Sequence, residues 1–209
     1  MEGYNKLKSL YNLINQGLNV HSFIATKDRQ EIIDAVHGFD NLCTVRTDSK
    51  DRLYNLPFYI FNGEANNLDT ICNEIINQGL MAIIANGRKY DDRLRYNANC
   101  KIKENGDFWI EYSLEKCTLR EMYNFPMNCY IGNIDERIRD WVIVRDTDKR
   151  VDKREIKELI SKVWEKGVYD KYLEISVYND VVGMLQENMV FWQICETSKI
   201  EDKMFIRVN

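Results

Sequence analysis

Four segments of this 209-residue chain carry apolar residues at intervals of three and four, and each ends at a glycine. That spacing puts the apolar side chains on one helical face, and glycine supplies the left-handed turn that closes a helix at low cost. The first segment, residues 3–17, runs through Leu7, Leu10, Tyr11, Ile14 and Leu18 and stops at Gln16-Gly17. The second opens at Asp28-Arg29-Gln30-Glu31, a D-x-x-E form of the capping box, and presents Ile32, Ile33 and Val36 before Gly38. The third, residues 66–78, carries Leu68, Ile71, Cys72, Ile75 and Ile76 ahead of Gly79. The fourth opens at Asp152-Lys153-Arg154-Glu155 and carries Ile156, Leu159, Ile160, Val163 and Trp164 ahead of Gly167.

Between the helices lie short apolar runs of strand length: Val20–Ala25, Leu42–Arg46, Phe58–Phe61, Leu80–Ala85, Tyr96–Lys103, Phe108–Leu114, Trp141–Arg145, Tyr172–Tyr178 and Met189–Cys195. Asn105-Gly106 between two alternating runs predicts a hairpin over Arg93–Leu114, and Leu173–Ile194 reads as a second. Helices and strands do not alternate regularly enough for a doubly wound parallel sheet. The expected fold is α+β, with two subdomains, each a mostly antiparallel sheet backed by helices. The polar turn cluster Asn62–Asn67 places the expected boundary between residues 1–65 and 66–209.

A 44% hydrophobic fraction excludes disorder, and ten Gly with two Pro exclude collagen-like and linker-rich classes. No run approaches the ~20 apolar residues of a membrane span, and Met1–Asn5 lack a signal-peptide pattern. The chain reads as cytoplasmic, without a membrane partner. A net charge of −4 argues against a general nucleic-acid binder. Six cysteines without a C-x-x-C pair read as reduced thiols, and two histidines are too few for a zinc cluster. His37 falls where it would cap a helix end. No Walker A loop, G-x-G-x-x-G fingerprint or G-x-S-x-G elbow is present. The abundance of Asn, Ile, Lys and Tyr reads as AT-rich coding rather than chemistry.

Three constellations remain. Arg46 ends the apolar run Leu42–Arg46, where a cation can face a crevice and hold a phosphate or carboxylate; alternatively it pairs with a nearby acid. Asn86-Gly87-Arg88-Lys89, followed by Asp91-Asp92, combines a close-approach glycine with phosphate-directed charge, or is a solvated turn. Glu174 and Gln193 each interrupt an apolar strand pattern and would share one face of a hairpin. Their oxygens are hard ligands suited to magnesium, unless both simply face solvent. Glu111 is placed the same way in the earlier hairpin.

The order of elements and these positions together resemble the ATP-grasp fold. Val45-Arg46-Thr47-Asp48 is similar to the Val-Arg-Ser-Ser segment of dikinase-type nucleotide-binding domains, with Arg46 as the cation reaching the nucleotide phosphates. The resemblance makes Met81–Asn86 the hinge strand whose backbone meets adenine, through Ile84 and Asn86, followed by Arg88 and Lys89. Leu173-Glu174-Ile175-Ser176-Val177 and Val190-Phe191-Trp192-Gln193-Ile194 correspond to the final hairpin, where an acid and an amide bind magnesium.

That resemblance implies ATP and Mg2+ as cofactors and a nucleotide plus an unassigned acceptor as partners. It implies a ligase or phosphotransferase forming an acyl-phosphate. The chain lacks the family's glycine-rich phosphate-covering loop at residues 58–67 and within Arg93–Leu114, and uses Arg where Lys is more usual. The alternative is a non-catalytic interaction or assembly protein of phage or mobile-element origin. On that reading, twelve Tyr and four Trp supply a surface for a protein partner or a second copy, and Glu201–Asn209, with Met204, Ile206 and Val208 alternating, adds an edge strand.

Overall fold

The four segments of helical spacing form α1 (Asn5–Asn15), α2 (Arg29–Gly38), α3 (Leu68–Asn77) and α4 (Lys153–Glu165). The structure, a computed structural model, describes residues 4–51, 56–86, 93–115, 124–147, 150–179 and 189–196. Asp28 caps α2 by accepting the Glu31 N–H at 2.9 Å, as the capping box predicts. Asp152 caps α4 through the Arg154 N–H at 2.8 Å, one position earlier than that box implies. Gly17, Gly79 and Gly167 take left-handed φ values of 67, 64 and 68°. Gly38 stays helical, and Asp40 and Asn41 make the left-handed turn after α2 instead. His37 lies in the last turn of α2, hydrogen-bonded to Asn41.

The strands divide into two wholly antiparallel sheets, making the fold α+β. The first contains β1 (Phe23–Thr26), β2 (Thr44–Asp48), β3 (Phe58–Ile60) and β4 (Met81–Ala85) in the order β1-β4-β2-β3. The second contains β5 (Leu94–Ile102), β6 (Asp107–Ser113), β7 (Asn128–Asn133), β8 (Val142–Arg145), β9 (Lys171–Tyr178) and β10 (Met189–Glu196). Its order is β10-β9-β5-β6-β7-β8.

In the first sheet β4 lies between β1 and β2, and α3 packs with α2 over it, so the chain passes between sheets after Ala85. Strand β7 was not expected, because Asn128, Gly132 and Asn133 break its apolar alternation; pairing with β6 over Asn128–Asn133 creates it. The Asn-Gly hairpin forms, with Gly106 at φ 87° and its N–H bonded to the Lys103 carbonyl.

α2 and α3 bury Ile32, Val36, Cys72 and Ile75 against Val45, Ala82 and Ile84 of the first sheet. α4 buries Ile156, Leu159, Ile160 and Val163 in the larger core, with Tyr96, Ala98, Cys100 and Ile102 of β5. Each such aliphatic side chain contributes about 1.5–3 kcal/mol.

α1 ties the sheets together. Its N-cap residue, Tyr4, makes no side-chain cap. Buried Asp48 at the end of β2 accepts the Leu7 N–H at 3.0 Å instead, and Lys6 donates to the Thr47 carbonyl at 2.6 Å. A carboxylate at a helix N-terminus is favourable both as a hydrogen-bond acceptor and against the macrodipole. Further along α1, Ser9 Oγ accepts the Ile194 N–H of β10. The helix therefore fixes β2 relative to β10.

A Cβ added at Gly132 would lie 2.5 Å from Cδ1 of Trp141, itself packed edge-on against Phe108. Gly132→Ala is expected to destabilise by about 1–3 kcal/mol through overpacking, read as a lower urea midpoint. Gly38→Ala meets nothing within 4 Å and lies in a helix, so the same measurement should show it neutral or up to ~1 kcal/mol stabilising.

Candidate functional site

Alternation along the second sheet sends its apolar residues toward α4 and leaves a polar face opposite. Asn97, Asn99 and Lys101 of β5, Trp109, Glu111 and Ser113 of β6, and Glu174 and Ser176 of β9 occupy that face. Register aligns Gln193, Glu174, Asn99 and Glu111 on four adjacent strands. Neighbours in this row are about 4.8 Å apart along the hydrogen-bonding direction.

Arg46 reaches this row from β2. It shares a register position with Ile83, on the face of the first sheet turned away from α2 and α3. One guanidinium nitrogen donates to the Gln193 side-chain oxygen at 2.5 Å and lies 3.6 Å from the Glu174 carboxylate. The other donates to the Trp192 carbonyl at 3.0 Å. Trp192 stands at a register shift in β10 between Phe191 and Gln193, and the guanidinium lies 6.0 Å from its ring centroid. The Arg46 and Glu174 side chains are only 16% and 27% exposed, so their attraction is screened less than at an open surface.

The polar face continues on both sides of this contact. Trp192 Nε1 donates to Ser176 Oγ at 2.8 Å, and Ser176 donates to Asn97 Oδ1 at 2.6 Å. His21 packs 4.6 Å from the Trp192 ring and hydrogen-bonds Tyr178 at 3.2 Å. At the far end of the row, fully buried Glu111 pairs with Arg145. Lys101 lies in register with both Tyr172 and Trp109, whose rings stack at 5.7 Å. The signal for this face is the strict alternation Tyr96-Asn97-Ala98-Asn99-Cys100-Lys101-Ile102, whose polar members sequence reading passed over.

Of the sequence-derived candidates, the structure brings together Arg46, Glu174 and Gln193. Arg46 is paired to an acid of the other sheet, as one of its two readings expects. Ile84 is fully buried among the side chains under α2 and α3, on the opposite face from Arg46. Its strand is hydrogen-bonded on both edges, to β1 and β2, so the backbone is committed to the sheet. Asn86, exposed just past β4, donates its N–H to the Ser22 carbonyl at 2.9 Å. Arg88, Lys89, Asp91, Asp92 and the segment Glu201–Asn209 lie outside the described residues.

Glu174 and Gln193 present hard oxygens side by side, and a cationic group already lies against them. That donor set fits Mg2+, whose remaining positions would be filled by phosphate and water. Among the described residues no group of three or more His, Cys, Asp and Glu is placed to hold a metal.

No known family's sequence pattern matches this chain, and no curated protein does. Solved structures do match. N5-carboxyaminoimidazole ribonucleotide synthetase, in an ADP complex, superposes with a TM-score of 0.53 at 9% identity, over 93% of this chain and 45% of that one. D-alanyl-alanine synthetase A from Vibrio cholerae gives 0.51 at 8% identity, over 92% and 55%. D-cycloserine synthetase gives 0.50 at 11% identity, over 93% and 63%. The fold is ATP-grasp-like, and this chain spans about half to two thirds of the length of these proteins. No helix among the described residues is long and apolar enough to cross a membrane.

Cys43, Cys72, Cys100 and Cys129 are buried, poorly nucleophilic thiols. Burial raises Cys43 to about 11 and Cys100 to about 12 from 9.0, and it also raises Cys72 and Cys129. A thiol-specific reagent at pH 7.5 is expected to leave Cys43, Cys72, Cys100 and Cys129 unmodified in the folded protein and to label them after denaturation. Because the unfolded thiols ionise first, folding stability should fall as pH rises from about 9 to 11. Denaturant midpoints across that interval check the sign.

Proposed function

We propose that this chain binds ATP with Mg2+ in the cleft between its two sheets and serves an ATP-grasp-type ligase or phosphotransferase reaction. The observation that carries this reading is the convergence of Arg46 from one sheet on Glu174 and Gln193 of the other. Those residues are 128 and 147 positions from Arg46 in sequence, from 174 − 46 and 193 − 46. A cation facing a hard-oxygen pair suits a polyphosphate and its counter-ion, because phosphate prefers the guanidinium and a divalent ion prefers the oxygens. The ATP-grasp-like fold supports the same reading.

On this reading Arg46 holds phosphate oxygens, assisted by Arg88 and Lys89, while Asn86 lies beside the base. Glu174 and Gln193 would hold the magnesium, which when bound would offset charge spreading over the transferred phosphoryl group. A carboxylate oxygen of the acceptor attacks the γ-phosphorus, and the bond to the bridging oxygen of ADP breaks, giving an acyl-phosphate. An amine or thiol then attacks the acyl carbon and expels phosphate. The protein's part is electrostatic and positional, which is what phosphoryl transfer chiefly requires.

A second reading, an interaction protein, has one observation in its favour. Val142, Ile143 and Val144 of β8 are all exposed, on a strand at the edge of the second sheet.

The thermal midpoint with millimolar MgATP, MgGTP or Mg2+ alone decides between them. A ligand at 100 times its dissociation constant adds about 2.7 kcal/mol, a rise of roughly 5–10 °C for a chain of this length. MgATP is expected to give that rise in the wild type and little in Glu174→Ala. The absence of a shift with any nucleotide would remove the nucleotide reading and leave the β8 edge as the lead.

A further inference from the structure

We infer that Arg46 and a divalent cation exclude one another at Glu174 and Gln193, so the metal site opens only when nucleotide phosphate draws Arg46 away. The inference rests on the reading of the cleft as a magnesium–nucleotide site. It adds an order of events that the fold alone does not supply.

The guanidinium already occupies an acceptor site on Gln193 and lies against Glu174, so its charge stands where a dication would have to approach. An Arg46 nitrogen lies 2.5 Å from the Gln193 side-chain oxygen, while magnesium would need that oxygen at about 2.0–2.1 Å. The same nitrogen lies 3.6 Å from the Glu174 carboxylate. Of the two candidate metal ligands only Glu174 carries charge, and Arg46 neutralises it. A dication approaching this pair would meet one spent negative charge and a guanidinium of its own sign.

Nucleotide changes that balance. A triphosphate brings several negative charges and bidentate acceptors matched to the guanidinium fork. Once Arg46 turns toward phosphate, the two protein oxygens face a metal that phosphate oxygens also hold. The exchange is a side-chain movement rather than a parting of the sheets, because α1 fixes both backbones: Asp48 and Thr47 of β2 bond Leu7 and Lys6, and Ile194 of β10 bonds Ser9. By linkage, metal and nucleotide must each tighten the other's binding.

Mn2+ alone is the probe, with free ion counted by electron paramagnetic resonance during titration without nucleotide. Arg46→Gln is expected to bind one Mn2+ at least tenfold more tightly than the wild type, and Arg46→Gln with Glu174→Gln should lose that gain. Arg46→Met, which keeps the length of the stem, carries the same expectation should the glutamine variant fail to fold. Wild-type protein that binds Mn2+ as tightly as the variants, or a gain that survives loss of Glu174, would overturn the exclusion. A wild type that shows no midpoint shift with MgATP contradicts the nucleotide reading separately, since the Mn2+ titration contains no nucleotide.

Discussion

A guanidinium from the first sheet meets a carboxylate and an amide of the second. Arg46 leaves the first sheet, ends on a side-chain oxygen and a backbone carbonyl of β10, and lies near a carboxylate of β9. Its strand also anchors α1 through Thr47 and Asp48, and α1 in turn bonds β10. The helix and the arginine are thus two braces across the same pair of strands, one at backbone level and one at side-chain level. Both hold β2 near β10.

The second sheet makes that charge useful by separating its faces. Leu173, Ile175 and Val177 of β9, with Tyr96, Ala98 and Cys100 of β5, belong to the core under α4. The intervening positions are polar, and several of them, including Asn97, Asn99 and Glu111, are nearly fully buried. Burying polar groups is costly unless they are paired, and the pairing is visible in Trp192–Ser176–Asn97 and in Glu111–Arg145. A sheet that only needed to fold would be better served by one apolar and one solvated face. This one keeps an enclosed polar surface.

Much of this was legible in the sequence where the determinants are local. The four helices follow from apolar spacing and terminal signals, and the β5–β6 turn follows from Asn105-Gly106. Long-range determinants were harder to read. β7 has an Asn-Gly-Asn-rich sequence and becomes a strand only because β6 pairs with it along six positions. The polar cluster at 62–67 precedes α3 and β4, and β4 reaches its place between β1 and β2 only through long-range pairing. Arg46, Glu174 and Gln193 stood out individually as polar residues in apolar runs, but only the order of elements suggested that they meet. Strand position alone does not reveal which face a side chain serves: the register of Ile84 with Val45 sets it in the core under α2 and α3.

The most direct measurement is a crystal structure of the protein with Mg2+ and a non-hydrolysable ATP analogue. The account predicts polyphosphate between the sheets, with Arg46 on phosphate oxygens, the metal on Glu174 and Gln193, and the contact between Arg46 and Gln193 broken. Nucleotide bound elsewhere, or bound in the cleft with that contact intact, would contradict it.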